Sequence, residues 1–484
     1  MAFNLDFLLS IKLFEILTLT FLYYIFHFYF NYYTRKNPLP GPFPLPIIGN
    51  LYLIRGDLFD FIQKNHQQYG DLFELWVPNR NIYFNNVNQI GKLTQPNTKS
   101  SFTTQMKLTK IFQEYIQTFG FIILNDDYES WRYYRKLLEQ TISNQSYQHS
   151  LFDVILECFG EIQGHWKKLG AEHVIDIREW ALRLLFDILI RTTTGENLFI
   201  MTKYFNHLTA GPKVHIAKEI DEMGEGIDQQ LKNGAKALFY FQYVPEVLAR
   251  TVFWWKTKKY LQISKKAQSV YNKIIEKRKQ EIRNEDSSNR KVDVLNLLLN
   301  ANLSDENESP SSKSIRLSDQ EISIFLFEII NTSILTTSNT FAFTVEHIER
   351  NKKVKEKLLE ELKTVFGDDK NNISFYKLSQ LKYIEAVIYE TLRVTPQTLT
   401  IIRTNNKEVD VSNIKKNSNL SFGTGLRICP GRFQAINMLK TLIFLLYLNY
   451  HVELVDPHSP IKNEFTFVNI CLSGKVYVRP RNAE

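Results

Sequence analysis

The sequence predicts a mainly helical fold. Amphipathic patterns with a helical period recur through the body of the chain, whereas the alternation typical of strands is sparse. Hydrophobic residues make up 44% of the 484 residues and charged residues 23%, a balance typical of a globular chain that buries a sizeable core. This length is compatible with one large domain or with two smaller ones. The clearest helical patterns lie at 131–138, 176–189, 267–283 and 351–366.

Net charge and cysteine content narrow the class of protein. The formal net charge of +8 and the pI near 9.0 favour attraction to acidic proteins or anionic lipid. No zinc-finger or RNA-binding aromatic pattern accompanies the basic residues, so we expect no nucleic-acid partner. The three cysteines, Cys158, Cys429 and Cys471, form no close pair, which argues against a disulfide scaffold or a zinc cluster. This usage is typical of a body that faces a reducing cytosol.

Residues 1–36 are predicted to form an N-terminal membrane anchor. No charged residue occurs within 16–34, a stretch just long enough to span a bilayer as a helix. Arg35 and Lys36 follow at once, which predicts that the rest of the chain faces the cytosol. A cleaved signal peptide is the alternative interpretation, although the apolar stretch is longer than usual for one. The prolines within 37–49 then predict a semi-rigid hinge.

A long buried helix is predicted in the second half of the chain. Ser318 and Glu321 have the spacing of a capping box, in which each side chain bonds the backbone N–H of the other residue. No charged residue occurs within 329–345, so most faces of this helix should be buried. The serines and threonines in the same stretch argue against a second membrane span.

The stretch with the clearest chemistry is a glycine-rich loop around Cys429. Gly423 and Gly425 lack a Cβ, which allows a tight loop to approach a flat ligand closely. Pro430 suits the first turn of a helix, so Cys429 should lie at a helix N-terminus. The helix dipole and the free amides there favour a thiolate over a thiol. A stabilised thiolate is either a metal ligand or a nucleophile.

The neighbours of Cys429 leave several interpretations of this cysteine. Arg427, two residues before it, offers a forked hydrogen-bond donor to a carboxylate. A lone cysteine is more often a small buried hydrophobe than a ligand. A dinucleotide fingerprint is disfavoured, because Ile428 stands where its third glycine would be. A cysteine hydrolase needs a positioned histidine, and nothing in the sequence marks one of the ten histidines as that partner.

The whole string resembles the heme-binding loop of the cytochrome P450 family, Phe-x-x-Gly-x-Arg-x-Cys-x-Gly, at every fixed position. The resemblance implies a mainly α fold with a small β portion, in one large heme-binding catalytic domain that covers 50–484. It also implies heme b with the Cys429 thiolate as axial ligand, because thiolate donation into iron helps to cleave the O–O bond. The loop residues implied to bind this cofactor are Phe422, Gly423, Gly425, Arg427, Cys429 and Gly431.

The resemblance further implies a reaction and partners. The reaction is that of a monooxygenase, which inserts one oxygen atom from dioxygen into an apolar small molecule with electrons from NADPH through a reductase. Basic residues offer a cationic surface for docking an acidic reductase. The candidates are Arg132, Lys136, Arg432 and Lys440. The resemblance to membrane-bound members implies contact with membrane lipid, and a location at the endoplasmic reticulum with the catalytic domain facing the cytosol.

Further motifs extend the resemblance over most of the chain. Glu390 and Arg393 resemble the family's Glu-x-x-Arg helix motif, which predicts a buried structural ion pair because the i,i+3 spacing puts both on one face. Trp131 and Arg135 are four residues apart and resemble the helix that binds the heme propionates. Arg403 stands where the family often places another propionate-binding arginine.

Two departures from the family pattern concern activity. Thr336 is the candidate catalytic hydroxyl for oxygen activation, but Leu335 stands where the family usually has an acid. Without that carboxylate, general-acid assistance worth roughly 10²-fold is lost, which predicts slow turnover or uncoupled oxygen reduction. Only 36 residues separate Arg393 from Cys429, about half of what the resemblance implies. A segment that normally packs against the Glu-x-x-Arg pair is therefore missing, and the pair could be left with unmatched buried charge.

These departures leave two alternatives to a working monooxygenase. The first is a catalytically impaired or truncated relative that binds heme without turnover. The second is a heme-thiolate isomerase or dehydratase, which needs no oxygen activation and would tolerate Leu335.

Overall fold

The computed structural model describes residues 3–54, 58–76, 80–84, 109–116, 128–284, 293–304, 317–367, 373–398, 421–465 and 468–481. The chain divides into two compact units. The first unit comprises residues 1–90 together with 243–245, and the second comprises 91–242 together with 246–484.

In its described residues, the first unit contains two helices and a β-hairpin. Its elements are α1 (Phe3–Tyr33), a short 3₁₀ turn (Leu51–Leu53), α2 (Leu58–Tyr69), β1 (Leu72–Trp76) and β2 (Arg80–Phe84). Aromatic packing attaches the end of α1 to the hairpin, because the rings of Phe28 and Trp76 lie 5.7 Å apart. An ion pair adds to this attachment, with Arg35 Nε 2.6 Å from the Glu74 carboxylate. The end of the predicted hinge segment 37–49 is closed by a backbone bridge between Leu45 and Gly49.

The predicted membrane anchor is not supported by the structure. Residues 3–33 do form one continuous helix, but no helix in the described ranges is long and apolar enough to cross a membrane. Polar groups within the apolar stretch account for this result. His27 and Asn31 pair through their side chains at 3.0 Å, and several tyrosines add hydroxyl groups to the same turns.

The second unit contains the other elements of the described ranges. Its helices are α3 (Lys110–Ile116), α4 (Tyr128–Ile142), α5 (Gln145–Leu169), α6 (Ile177–Thr194), α7 (Ile200–Leu208), α8 (Lys218–Tyr243), α9 (Glu246–Arg250), α10 (Trp254–Asn284), α11 (Val294–Ser304), α12 (Asp319–Arg350), α13 (Lys352–Phe366), α14 (Phe375–Leu378), α15 (Lys382–Val394) and α16 (Arg432–Asn449). Its strands are β3 (Ile175–Asp176), β4 (Tyr450–Leu454), β5 (Asn463–Phe465), β6 (Asn469–Cys471) and β7 (Lys475–Pro480). Strands β3, β7 and β4 form one antiparallel sheet, and β5 pairs with β6. The predicted mainly helical fold with a small β portion is confirmed.

Local sequence signals explain where the helices begin and end. Asp176 caps α6, because its carboxylate accepts the backbone N–H of Glu179 at 3.0 Å. Gly195 ends the same helix in the left-handed conformation, with φ of 67°, which glycine adopts at no steric cost. The four predicted helical patterns fall within α4, α6, α10 and α13, apart from one residue at the start of two of them.

Helix α12 lies at the centre of the second unit and packs against α6, α10, α15 and α16. The predicted capping box forms at its start, where the Glu321 N–H donates to Ser318 Oγ at 3.3 Å. Almost every residue within 322–346 is buried. The prediction of a long, largely buried helix is therefore confirmed.

Candidate active site

The loop of Cys429 is a tight turn held by its own backbone. The Cys429 N–H donates to the Phe422 carbonyl at 2.8 Å, and a 3₁₀ turn covers Gly425–Arg427 between them. Gly423 and Gly425 have φ of 74° and 72°, a region that favours glycine because other residues carry a Cβ. Phe422 packs edge-on against Tyr389 of α15 at 6.4 Å between ring centroids. The two glycines are thus required by the backbone of the loop.

Cys429 is a free cysteine that is partly exposed. Burial raises the pKa of its thiol, while the Gly431 N–H and the positive charges of Arg135 and Arg432 oppose that rise. The sequence-based expectation of a stabilised thiolate is therefore wrong for the protein alone. Helix α16 begins at Arg432, so Pro430 precedes the helix and Cys429 lies two residues before its N-cap. A bound metal ion would itself deprotonate this thiol, because a coordinating thiol loses its proton.

Helix α4 brings an arginine and a tryptophan against the loop. Arg135 is buried, and its Nη1 donates to the Ile428 carbonyl at 2.6 Å. The Arg427 guanidinium lies 4.0 Å from the centroid of the Trp131 ring, in cation–π geometry. Three of the predicted cofactor-binding side chains, Trp131, Arg135 and Arg427, therefore lie together beside Cys429.

These residues fit a ligand that brings its own metal and its own negative charge. No group of three or more His, Cys, Asp or Glu residues could hold a metal ion among the residues whose positions are described. Cys429 offers one thiolate, and a heme iron can be held by a single cysteine thiolate from the protein. The buried Arg135 and Arg427 guanidinium groups suit carboxylates. A Cβ added at Gly431 would meet no atom within 4 Å, so the loop leaves open space there.

A patch of three hydroxyl side chains on α12 is the second part of the candidate site. Thr332, Ser333 and Thr336 are the partly exposed residues in the otherwise buried stretch of 322–346. The Thr336 hydroxyl donates to the Thr332 carbonyl at 2.9 Å. Leu335 is buried beside it, so the helix offers no carboxylate at that position. We refer to Thr332, Ser333 and Thr336 as the hydroxyl patch.

Helices α4 and α12 are joined by a direct side-chain contact. The Tyr134 hydroxyl donates to the Glu321 carboxylate at 2.8 Å. Because Tyr134 lies one turn from Trp131, this bond positions the helix that supports the Cys429 loop relative to the helix of the hydroxyl patch. No sequence pattern predicts this contact, because the two residues are far apart in the chain.

Glu390 and Arg393 form an ion pair on α15, but the prediction that the pair is buried is wrong. Their side chains are 60% and 61% exposed, and the Arg393 Nη2–Glu390 Oε1 distance is 2.7 Å. The partner side chain and water therefore solvate both charges, so the predicted unmatched buried charge does not arise. Each group shifts the pKa of the other toward the charged form, lowering that of Glu390 and raising that of Arg393.

The residues predicted to form a cationic docking surface are only partly available at the surface. Arg132 and Lys136 are exposed, and Arg432 is partly exposed. Lys440 is not available for docking, because its Nζ is buried and lies 2.9 Å from the Glu385 carboxylate. Arg403 lies outside the described residues, as does most of the short connection from α15 to the Cys429 loop.

The fold and the site together define a mainly helical protein in which one loop cysteine could hold a metal inside an anionic cofactor. Comparison with known proteins gives the family. The sequence matches the cytochrome P450 family over residues 39–416, which is most of the chain but ends before the loop of Cys429. The chain belongs to the cytochrome P450 family and is a heme-thiolate monooxygenase of that type.

Individual relatives are distant but cover most of the chain. The chain is 24% identical to tabersonine 6,7-epoxidase isoform 1 of Catharanthus roseus, over 86% of this chain and 84% of the relative. It is 25% identical to cytochrome P450 3A6 of Oryctolagus cuniculus, over 78% of this chain and 70% of the relative. The solved heme domain of cytochrome P450DA has the same fold, with a TM-score of 0.68 at 17% identity, over 92% of this chain and 98% of that domain.

Proposed function

We propose that Cys429 is the axial ligand of heme b and that Trp131, Arg135 and Arg427 bind the propionates. Heme bound in this way supplies the iron that activates dioxygen. The observation that supports this proposal is that two buried arginines and Trp131 cluster beside the partly exposed Cys429. Arg135 also donates to the carbonyl next to Cys429, so it holds in place the loop that would bind the cofactor.

Thr336 is the proposed proton-handling hydroxyl. Its hydroxyl donates to the Thr332 carbonyl in this structure, so it must rotate away from that carbonyl before Thr336 can donate to another group. Leu335 supplies no acid, so Thr332 and Ser333 are the polar neighbours through which a proton can reach Thr336. This arrangement supports a slow or poorly coupled enzyme, because one general acid is absent.

Electrons are proposed to come from NADPH through a reductase that docks on the exposed basic residues near the cysteine loop. Arg132 and Lys136 are exposed on α4, and Arg432 is partly exposed at the start of α16. An acidic partner would be steered by these charges, and its rate of binding would fall with salt. Replacing Arg132 and Lys136 by glutamate should slow reduction by the reductase. Reduction by dithionite serves as the control and should not change.

We propose an apolar small molecule as substrate and insertion of one oxygen atom as the reaction. The epoxidase named among the relatives supports an oxygen-insertion reaction. The test uses the purified protein with a reductase, NADPH, ¹⁸O₂ and decanamide as a probe. We expect one ¹⁸O atom in the product from the parent and from Cys158→Ala, and none from Cys429→Ala. Product that forms without reductase would contradict the proposal.

The sequence also left an isomerase or dehydratase as an alternative, which needs no acid at the position of the buried Leu335. The family assignment disfavours it. The signature of such an enzyme would be conversion of an oxygenated lipid in the absence of NADPH and reductase. An impaired heme-binding relative would show neither activity. Turnover that depends strictly on the reductase would exclude both alternatives.

We also propose that α1 contacts membrane lipid at the endoplasmic reticulum, with the catalytic domain facing the cytosol. The support is the exposure of its large apolar side chains. They include Phe14, Leu19, Tyr23, Phe26, Phe30 and Tyr33, each more than half exposed. The full chain should float with phosphatidylcholine vesicles in a density gradient, whereas a variant without residues 1–36 should not. Equal flotation of both would contradict the proposal.

A further inference from the structure

One face of α1 packs against other elements of the first unit. The Tyr32 ring meets the Trp76 ring of β1 edge-on, at 5.6 Å between ring centroids. Two turns earlier in the helix, the Tyr24 hydroxyl accepts the Ile47 N–H of the hinge segment at 3.1 Å. The second half of α1 is therefore held along the hinge segment and β1.

This docked half of α1 cannot lie inside a bilayer. The hinge segment is mostly irregular backbone, and β1 belongs to a two-stranded hairpin. Neither irregular backbone nor an open sheet edge occurs in contact with hydrocarbon, because no water is present there to bond the N–H and C=O groups. Any crossing of the membrane would therefore have to use the part of α1 before Tyr24, which is residues 3–23.

The part of α1 before Tyr24 carries charge near its middle. A helix over 3–23 is about 30 Å long, which equals the thickness of the hydrocarbon core. To span, all of it would have to lie in the core, with Lys12 near the centre and Asp6 and Glu15 on either side. Charged side chains at such depths oppose insertion. Residues 3–23 are thus unsuited to crossing a bilayer.

The face of α1 opposite the docked face is apolar and exposed. Phe26 and Phe30 are each two residues from Phe28, which packs on β1, so they lie about half a turn around the helix from it. Both are more than half exposed, as are Leu19 and Tyr33. Such a face is typical of a helix that lies along a membrane surface. The net charge of +8 adds attraction to anionic head groups.

We propose that α1 lies in the plane of the membrane surface and does not cross the bilayer. This inference rests on the proposed contact of α1 with lipid and specifies the geometry of that contact. One face of α1 holds the hinge segment and β1, and the opposite face lies among the head groups and the first part of the acyl chains. Both ends of α1 then stay on the cytosolic side.

Glycosylation in cells reports the side of the membrane on which α1 begins. An Asn-Ser-Thr acceptor joined through a flexible spacer to the start of the full chain is modified only if it reaches the lumen. We expect no modification of the parent. The matched variant carries Asp6→Leu, Lys12→Leu and Glu15→Leu, which makes 3–23 able to span, so its acceptor should be modified. A modified parent would overturn the proposal, and so would an unmodified variant, because the charges would then not be what prevents crossing.

Alkaline carbonate extraction of the microsomes gives a second readout. The parent should sediment with the microsomes at neutral pH and be released by carbonate, whereas the variant with three leucines should stay in the membrane. Retention of the parent in carbonate would contradict the in-plane geometry. A parent that is already released at neutral pH would contradict the lipid contact itself, and a dimer in that fraction would assign the apolar face to a second copy of the chain. The two failures are thus distinguished.

Discussion

Arg135 offers a sharp test of how α4 supports the cysteine loop. Its Nη1 donates to the Ile428 carbonyl at 2.6 Å, and its Nε donates to Glu139 at 2.7 Å. A hydrogen bond from a charged donor contributes about 1.5–3 kcal/mol, so Arg135→Met should lower the free energy of unfolding by about 1.5–3 kcal/mol. The Glu139 carboxylate is 53% exposed, so Glu139→Gln should cost at most about 0.5 kcal/mol.

Urea unfolding of the heme-loaded protein, followed by circular dichroism, measures both changes from the transition midpoint. Arg135→Met should also load less heme, because the variant loses a guanidinium beside the cofactor and the bond that holds the loop. Equal losses of stability in the two variants would refute the reasoning, because the ion pair with Glu139 would then be the stabilising contact.

Three further predictions follow from the described contacts. Replacing Glu390 or Arg393 by alanine should leave the urea midpoint almost unchanged, because the pair is exposed, and a large loss would contradict that geometry. Burial raises the pKa of Asp187 from 3.8 to about 6, so the folded state retains that proton longer than the unfolded state does. The stability contributed by the protonated Asp187 should therefore be complete below about pH 4 and lost as the pH rises through about 6, and Asp187→Asn should remove this pH-dependent difference. Leu335→Asp should raise product formed per NADPH consumed, and tight coupling in the parent would argue against the missing-acid hypothesis.

The sequence predicted those parts of the fold that depend on local periodicity. The capping box of Ser318 and Glu321 correctly predicted where α12 begins. The uncharged residues of α12 correctly predicted that this helix is largely buried. The Cys429 loop was equally predictable, because its glycines adopt positive φ angles that few other residues tolerate. Local rules were sufficient wherever the backbone alone determined the outcome.

Properties that depend on tertiary burial were not predictable. The i,i+3 spacing of Glu390 and Arg393 puts both on one face of α15, but it does not say whether that face is covered. The pKa of the Cys429 thiol was misjudged for the same reason, because desolvation outweighs the nearby N–H group and arginines.

The bond between Cys429 and iron is the central claim, and X-ray absorption at the iron edge tests it most directly. We predict one sulfur neighbour at the iron of the heme-loaded parent, retained in Cys158→Ala and lost in Cys429→Ser. A sulfur neighbour that persists in Cys429→Ser, or none in the parent, would contradict the assignment.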